Sequence, residues 1–183
     1  MDLISVFTVS FFGHRDFSEH LRLESILENI LKKLLSEHEY VVFLVGRNGE
    51  FDQFVSSTIR KVKRDFCRSN SELVCVLPYE TSEFKNNVES FLKYYDRVEI
   101  YAPVNNTHFK AATSKRNVDM VSRSDLLICY VNRKKAVHTM PLCLLKRTIY
   151  LLSIYRKTVY KKFPRRRGLV SGNSYNRAIT LIF

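Results

Sequence analysis

Residues 133–183 contain no aspartate or glutamate, although they carry 13 lysines and arginines. Before Arg133 the 17 basic and 18 acidic residues nearly cancel. The formal charge of +12 therefore belongs to the C-terminal segment, and it is no argument for a nucleic-acid or membrane surface on residues 1–132. Other absences narrow the field further. Cys67, Cys75, Cys129 and Cys143 show neither CxxC spacing nor a histidine at zinc-finger distance, so no metal site is expected. Cys75 and Cys129 sit inside apolar runs and read as reduced core thiols. No segment reaches the ~20 apolar residues that a membrane-spanning helix needs. The opening "MDLISVFTVSFFG" begins with an acid, lacks a basic leader region and stops at Gly13. A cytoplasmic protein without a membrane partner is expected. Neither GxGxxG nor GxxxxGK[ST] occurs, which removes the two commonest phosphate-loop signatures.

What is present is an alternation of strand and helix patterns. "SVFTVSFF" is β-branched and aromatic and reads as a buried strand. From Glu19 to Leu35 the apolar residues Leu23, Ile26, Leu27, Ile30, Leu31, Leu34 and Leu35 form a helical stripe. "YVVFLV" is a second strand. "FDQFVSSTIRKVKRDF" follows as a helix with Phe51, Phe54, Val55, Ile59 and Val62 on its inner face, and "ELVCVLP" is a third strand ended by Pro78. A less regular piece, "YETSEFKNNVESFLKYYD", leads to a short strand "RVEIY" and a polar loop through Asn105, Asn106 and His108. "SKRNVDMVSRS" reads as a short helix with Ser114 as its N-cap, before the strand "DLLICYV". This order predicts an α/β, Rossmann-like open and mostly parallel sheet flanked by helices in three layers. Residues 1–132 form one domain on this reading. Residues 133–183 form a basic C-terminal segment, partly packed as helix and strand before a disordered tail.

In such a sheet ligands bind at the carboxyl ends of the strands, where free N–H groups of helix N-termini hold anions. Three polar clusters fall at that edge: Gly13, His14, Arg15 and Asp16; Gly46 to Asp52; and Ser114 to Asn117. Gly46 and Gly49 would permit positive φ and close approach of a phosphate, which Arg15, Arg47 or Arg116 would neutralise. Asp52 would accept from ribose hydroxyls. Taken alone, these glycines equally make a plain turn, and Asp52 equally complements the helix dipole. His14 is a general base, a phosphate donor or simply a loop hydrogen-bonder. Only His14, Glu50 and Asp52 lie where an acid or base would be needed. Asp119 and Asp125 read as a helix-surface and a strand-entry residue.

The strings "FFGHRDF", "FLVGRNGEFDQFV" and "SKRNVDMVSRSDLLICYV", in this order and spacing, resemble the YspA-like, DUF1273-type branch of the SLOG superfamily, which also includes the DprA and LOG proteins. Members read FFGHR, then YVGxxGxFD, then SKRNxxMxxxSDxxxxYV, so the resemblance spans residues 6–131. It implies a Rossmann-like domain that binds or senses a nucleotide or nucleotide derivative. By match of motif it carries to Gly13, His14 and Arg15, to Gly46, Asn48, Gly49, Phe51 and Asp52, and to Ser114, Lys115, Arg116 and Asn117. It leaves enzyme activity open, because the LOG-type PGGxGTxxE loop with its catalytic glutamate is absent. A nucleotide-processing hydrolase, or nucleic-acid binding through the basic tail, stands as the alternative. No cofactor is indicated, and a homo-oligomer is compatible with the sequence.

After Val131 the resemblance would continue with a Gly-Gly-Ala phosphate loop, a helix and a last strand resembling "IINL". This chain instead reads "AVHTMPLCLLKRTIYLLSIYR", without a glycine. Back-translated and read one nucleotide earlier, that stretch permits approximately "GGAYxAxxxxEKNNIFIINLS". The hypothesis is a frameshift near Arg133 to Ala136, at the point where acidic residues cease; the alternative is a genuine basic extension with "KKFPRRR" as a phosphate-contacting arm. Sequencing the gene decides between them: the frameshift predicts glycine codons in the shifted frame, and their absence removes it.

Overall fold

The structure, a computed structural model, describes residues 4–17, 20–66, 69–101, 109–130 and 148–152. Strand β1 (Val6–Phe12) leads into α1 (His20–Glu37), β2 (Tyr40–Val45), α2 (Glu50–Phe66) and β3 (Ser71–Leu77). Two short helices, α3 (Ser82–Asn86) and α4 (Val88–Tyr94), precede β4 (Arg97–Ile100). Then follow α5 (Phe109–Arg123), β5 (Leu126–Tyr130) and β6 (Thr148–Leu152). The strands lie in the order β4-β3-β2-β1-β5-β6, and every neighbouring pair is parallel. This is the expected three-layer, Rossmann-like α/β architecture.

The layers follow from strand alternation. Val9, Phe11, Val41, Phe43, Leu73, Cys75 and Ile128 point to one face, where Leu27 and Leu31 of α1 and Val55 and Ile59 of α2 cover them. Phe12, Leu44, Val74, Val76, Leu127 and Cys129 point to the other, beneath Met120 and Val121 of α5. Covered on both sides, the central strands have to be apolar throughout, which is why they read as uninterrupted hydrophobic runs. Burial pushes the Cys75 and Cys129 thiols up to about 12, so both stay protonated in the core. Cys67 and Cys143 lie outside the described residues.

Polar bonds fix the register of β1 against β5. Asp125 accepts the Thr8 N–H at 2.9 Å and returns its own N–H to the Thr8 carbonyl at 2.8 Å. Ser10, buried on β1, hydrogen-bonds the Ser124 hydroxyl at 2.6 Å, and Ser124 donates on to the Met120 carbonyl at the end of α5 at 2.7 Å. A one-residue slip would bring Val9 or Phe11 to where this serine pair now sits.

Three expectations change. Ile26 belongs to the apolar periodicity of α1 but is 42% exposed, because it sits at the edge of a stripe whose centre is Leu23, Leu27 and Leu31. The irregular piece after β3 is helical twice over, with Thr81 capping α3 by accepting the Phe84 N–H. Ser114 is not an N-cap: α5 begins at Phe109, since "FKAAT" continues the helix, and Ser114 lies in its second turn. The loop through Asn105, Asn106 and His108 is outside the described residues. Of the C-terminal segment, Ile149, Leu151 and Leu152 fall in β6, which adds to the same sheet beside β5, while Leu142, Leu144 and Leu145 are outside the described residues. No helix among the described residues is long and apolar enough to cross a membrane.

Two neighbouring residues of α1 separate burial from periodicity. Leu27→Ala is expected to cost about 2–5 kcal/mol in urea denaturation, as for a fully buried leucine. Ile26→Ala should stay within about 0.5 kcal/mol of the parent.

Candidate functional site

β1 is the point where the sheet reverses its direction of growth: the chain moves from β1 outward through β2 and β3, and β5 returns to pair on the other side of β1. The loops after β1 and β2 therefore diverge from the end of β5 and leave a crevice at the carboxyl ends, the usual ligand position in open α/β sheets. A pocket of about 150 Å³ occupies it. Gly13, His14 and Arg15 from the first loop line it, with Gly46, Asn48, Gly49 and Asp52 from the second, and Arg116 and Asn117 from α5. The three sequence clusters converge.

The two loops are tied to each other reciprocally. The Glu50 N–H donates to the Arg15 carbonyl at 2.9 Å, and the Glu50 carboxylate accepts the Phe17 N–H at 2.7 Å. Glu50 is thus a positioning residue rather than an acid or base facing the pocket. Asp52, in the first turn of α2, reaches back to accept the Asn48 N–H at 3.0 Å and shapes the turn. With Glu50 it places negative charge at the positive end of the helix.

The glycines are required for space and not for unusual backbone angles, since none of Gly13, Gly46 and Gly49 has a positive φ. A Cβ on Gly49 would lie 2.8 Å from the Arg15 Cα, where the two loops cross. On Gly13 it would lie 2.3 Å from the Phe51 ring. On Gly46 it would stand 2.6 Å from Asp52 Oδ2 and 2.8 Å from Arg116 Nη1. The room beside Gly46 is therefore filled by the protein's own carboxylate and guanidinium, and not left open for a phosphate.

Arg116 is 5% exposed and donates to the Val76 carbonyl at 2.8 Å and to Asn117 Oδ1 at 3.1 Å. Burial lowers its pKa, and the Asp52 charge, with Cys75, pulls it back up. Burial raises the Asp52 carboxyl, against the pull of Arg116 and the Asn48 N–H. Each charge is held in the low-dielectric floor mainly by the other. The His14 ring stands edge-on to Tyr130, with centroids 6.0 Å apart, at the pocket mouth.

Four predicted residues are placed elsewhere. Arg47 turns away: its Nη2 and Nε bond Glu83 Oε1 at 2.7 and 3.2 Å, and its guanidinium lies 4.7 Å from the Phe91 ring centre. Partial burial alone would lower its pKa, but Glu83 and Tyr95 hold it above its ordinary value. Phe51 is 1% exposed and packs beneath Gly13 among Phe17, Phe54 and Tyr130, so it supports the pocket without lining it. Ser114 and Lys115 are exposed and point off the site. The reason is helical geometry: Thr113, Arg116, Asn117 and Met120, three and four residues apart, form one face of α5, and Ser114 and Lys115 fall outside it. Sequence reasoning missed Thr113 because it began the helix at Ser114, and it missed Met120, which lies on that helix one turn beyond Arg116 and Asn117. It missed Tyr130, although the carboxyl end of a central strand is where a lining residue belongs. Phe11 and Phe12 complete the lining from the end of β1.

No group of three His, Cys, Asp or Glu side chains that would hold a metal ion occurs among the described residues. The sequence matches no protein-family model and no curated protein.

The raised Asp52 carboxyl has a pH signature. Because its folded value lies above the ordinary 3.8, protonation favours the folded state. Its stabilising contribution is complete below 3.8 and is lost as pH rises through the raised native value. Relative to Asp52→Asn, the parent should therefore lose stability across that window in urea titrations; a relative gain would contradict the buried-carboxylate account.

Proposed function

We propose that the chain binds a nucleotide or nucleotide derivative in the crevice at the carboxyl ends of β1, β2 and β5. The observation that carries this reading is a buried Asp52 and Arg116, each only partly offset by the other's charge, at the switch point of a parallel sheet, beside the exposed Arg15 and the half-buried His14. Maintaining a carboxylate and a guanidinium in a cavity floor costs stability unless both are used or tightly paired, and such groups concentrate at binding sites. Arg15 and His14 at the mouth provide donors for an anionic group. Asp52 and Asn117 provide acceptors for sugar hydroxyls. At about 150 Å³ the pocket matches a sugar phosphate better than an entire nucleotide, so the base would project from it. The resemblance of the three motifs to SLOG proteins points the same way.

Hydrolysis of the N-glycosidic or phosphoester bond is a second reading. It is favoured by the Asp52 carboxyl, which burial holds above its ordinary range as a general acid requires. Binding through the basic tail to nucleic acid rests on residues outside those described.

Calorimetric titration of the full chain with nucleoside monophosphates and with ribose 5-phosphate tests the binding reading. Arg15→Gln, on the exposed rim, should weaken both about tenfold, the loss of one charge-assisted hydrogen bond. Absence of binding to any of these ligands overturns it. Chromatography of the same mixtures separates the two readings, since hydrolysis yields free base or free phosphate and simple binding returns the nucleotide intact.

A further inference from the structure

A second cavity, of about 350 Å³, shares no residue with the first. Phe91, Tyr94 and Tyr95 wall it, and Arg47, Glu83 and Asn87 edge it. Its size falls in the ~300–1,000 Å³ range of small-molecule sites, and its aromatic lining with a few polar groups is the usual composition of one. The first pocket uses none of these side chains.

The state of Arg47 decides what chemistry fits. Glu83 Oε1 accepts from both Nε and Nη2, and the Tyr95 hydroxyl lies 3.4 Å from Nη1, so three of the five guanidinium N–H donors are already engaged in its plane. The Arg47 charge is cancelled by Glu83. A phosphate or carboxylate would have to settle beside the Glu83 carboxylate, whose like charge opposes it, and the site is therefore poorly matched to an anion. The flat faces are a different matter. Phe91 lies against one of them, 4.7 Å from Cζ, and a guanidinium stacks on aromatic rings through its faces while its edges stay hydrogen-bonded. Around this platform the Glu83 carboxylate, the Asn87 amide and the exposed Ser90 offer acceptors and donors to a ring's edge. Asn87 is itself held by a bond from Nδ2 to the Glu83 carbonyl at 2.9 Å. Tyr95 is 3% exposed and anchors the wall to the core, so the cavity is formed before any ligand arrives.

We propose that this cavity is a separate binding site for an uncharged, planar heteroaromatic ring of the nucleobase class, stacked on the face of Arg47 opposite Phe91. Net neutrality selects an uncharged ligand, the guanidinium face selects a flat one, and the mixed donors and acceptors select a ring with polar edges. The site stands apart from the reading of the first pocket and does not need it.

The test is calorimetric titration of the full chain with adenosine, an uncharged probe, and in parallel with ribose 5-phosphate. Ser90→Trp fills the cavity from its exposed rim, and Arg47→Met removes the platform while keeping side-chain length. Adenosine should bind the parent, and each variant should weaken it at least tenfold while leaving the ribose 5-phosphate response unchanged. No adenosine binding to the parent overturns the proposal, as does unaltered affinity in Ser90→Trp. Loss of adenosine binding in Arg15→Gln with retention in Ser90→Trp puts the ring in the first pocket and also overturns it. If adenosine follows the expected pattern and ribose 5-phosphate does not bind, the second site stands and the sugar-phosphate reading of the first pocket falls.

Discussion

Gly46 closes β2 with no side chain, and the volume a Cβ would take is filled from one side by Asp52 and from the other by Arg116. Around that close approach the rest of the pocket is arranged. Asp52 can reach it because α2 begins four residues later, and Arg116 can reach it because α5 crosses the opposite face of the sheet at the height of the Val76 carbonyl. A methyl group at Gly46 would force both charges apart. Each would then face burial with less of the opposite charge that now offsets it.

The same constraint explains why the site is assembled from distant chain segments. Strand β1 is paired on both sides, so the loops that follow β1 and β2 and the helix that precedes β5 end near a common point. The Glu50 bonds to Arg15 and Phe17 fix the two loops relative to each other, while Asp125 and the Ser10 and Ser124 pair fix α5 and β5 relative to β1. These contacts are ordinary polar bonds, yet together they hold the pocket lining to within the reach of one small ligand. Next to it, Arg47 is separated from the pocket by a single peptide and serves a different wall, because consecutive residues of a tight turn point in different directions.

Much of the fold was legible because its signals are local. Strands covered on both faces have to be apolar along their length, and the stripes of α1 and α2 have to repeat at helical spacing, so "YVVFLV" and "FDQFVSSTIRKV" declare their state without reference to anything else. Ile26 shows the limit: periodicity places it with Leu27, but how wide a stripe is buried depends on what packs against it. Ser114 shows another. A serine before a polar helix resembles a cap, and the preceding "FKAAT" carries no signal strong enough to say that the helix has already begun.

Composition and order alone determined the alternation of elements, the parallel sheet and the three loop clusters at one edge of it, because these follow from residue spacing and from the burial that a parallel sheet imposes. The tertiary structure decided which members of those clusters meet. Arg116 and Asn117 enter the pocket while Ser114 and Lys115 do not, since the rotation of α5 on the sheet is set by Met120, Val121 and Ser124. Arg47 leaves the pocket because Glu83 and Phe91, dozens of residues away in sequence, offer its guanidinium an edge and a face. Gly13, Gly46 and Gly49 are needed for contacts with Phe51, Asp52, Arg116 and Arg15, and not for a turn conformation. A glycine's spelling is the same in both cases, and only the neighbours that fold against it tell them apart.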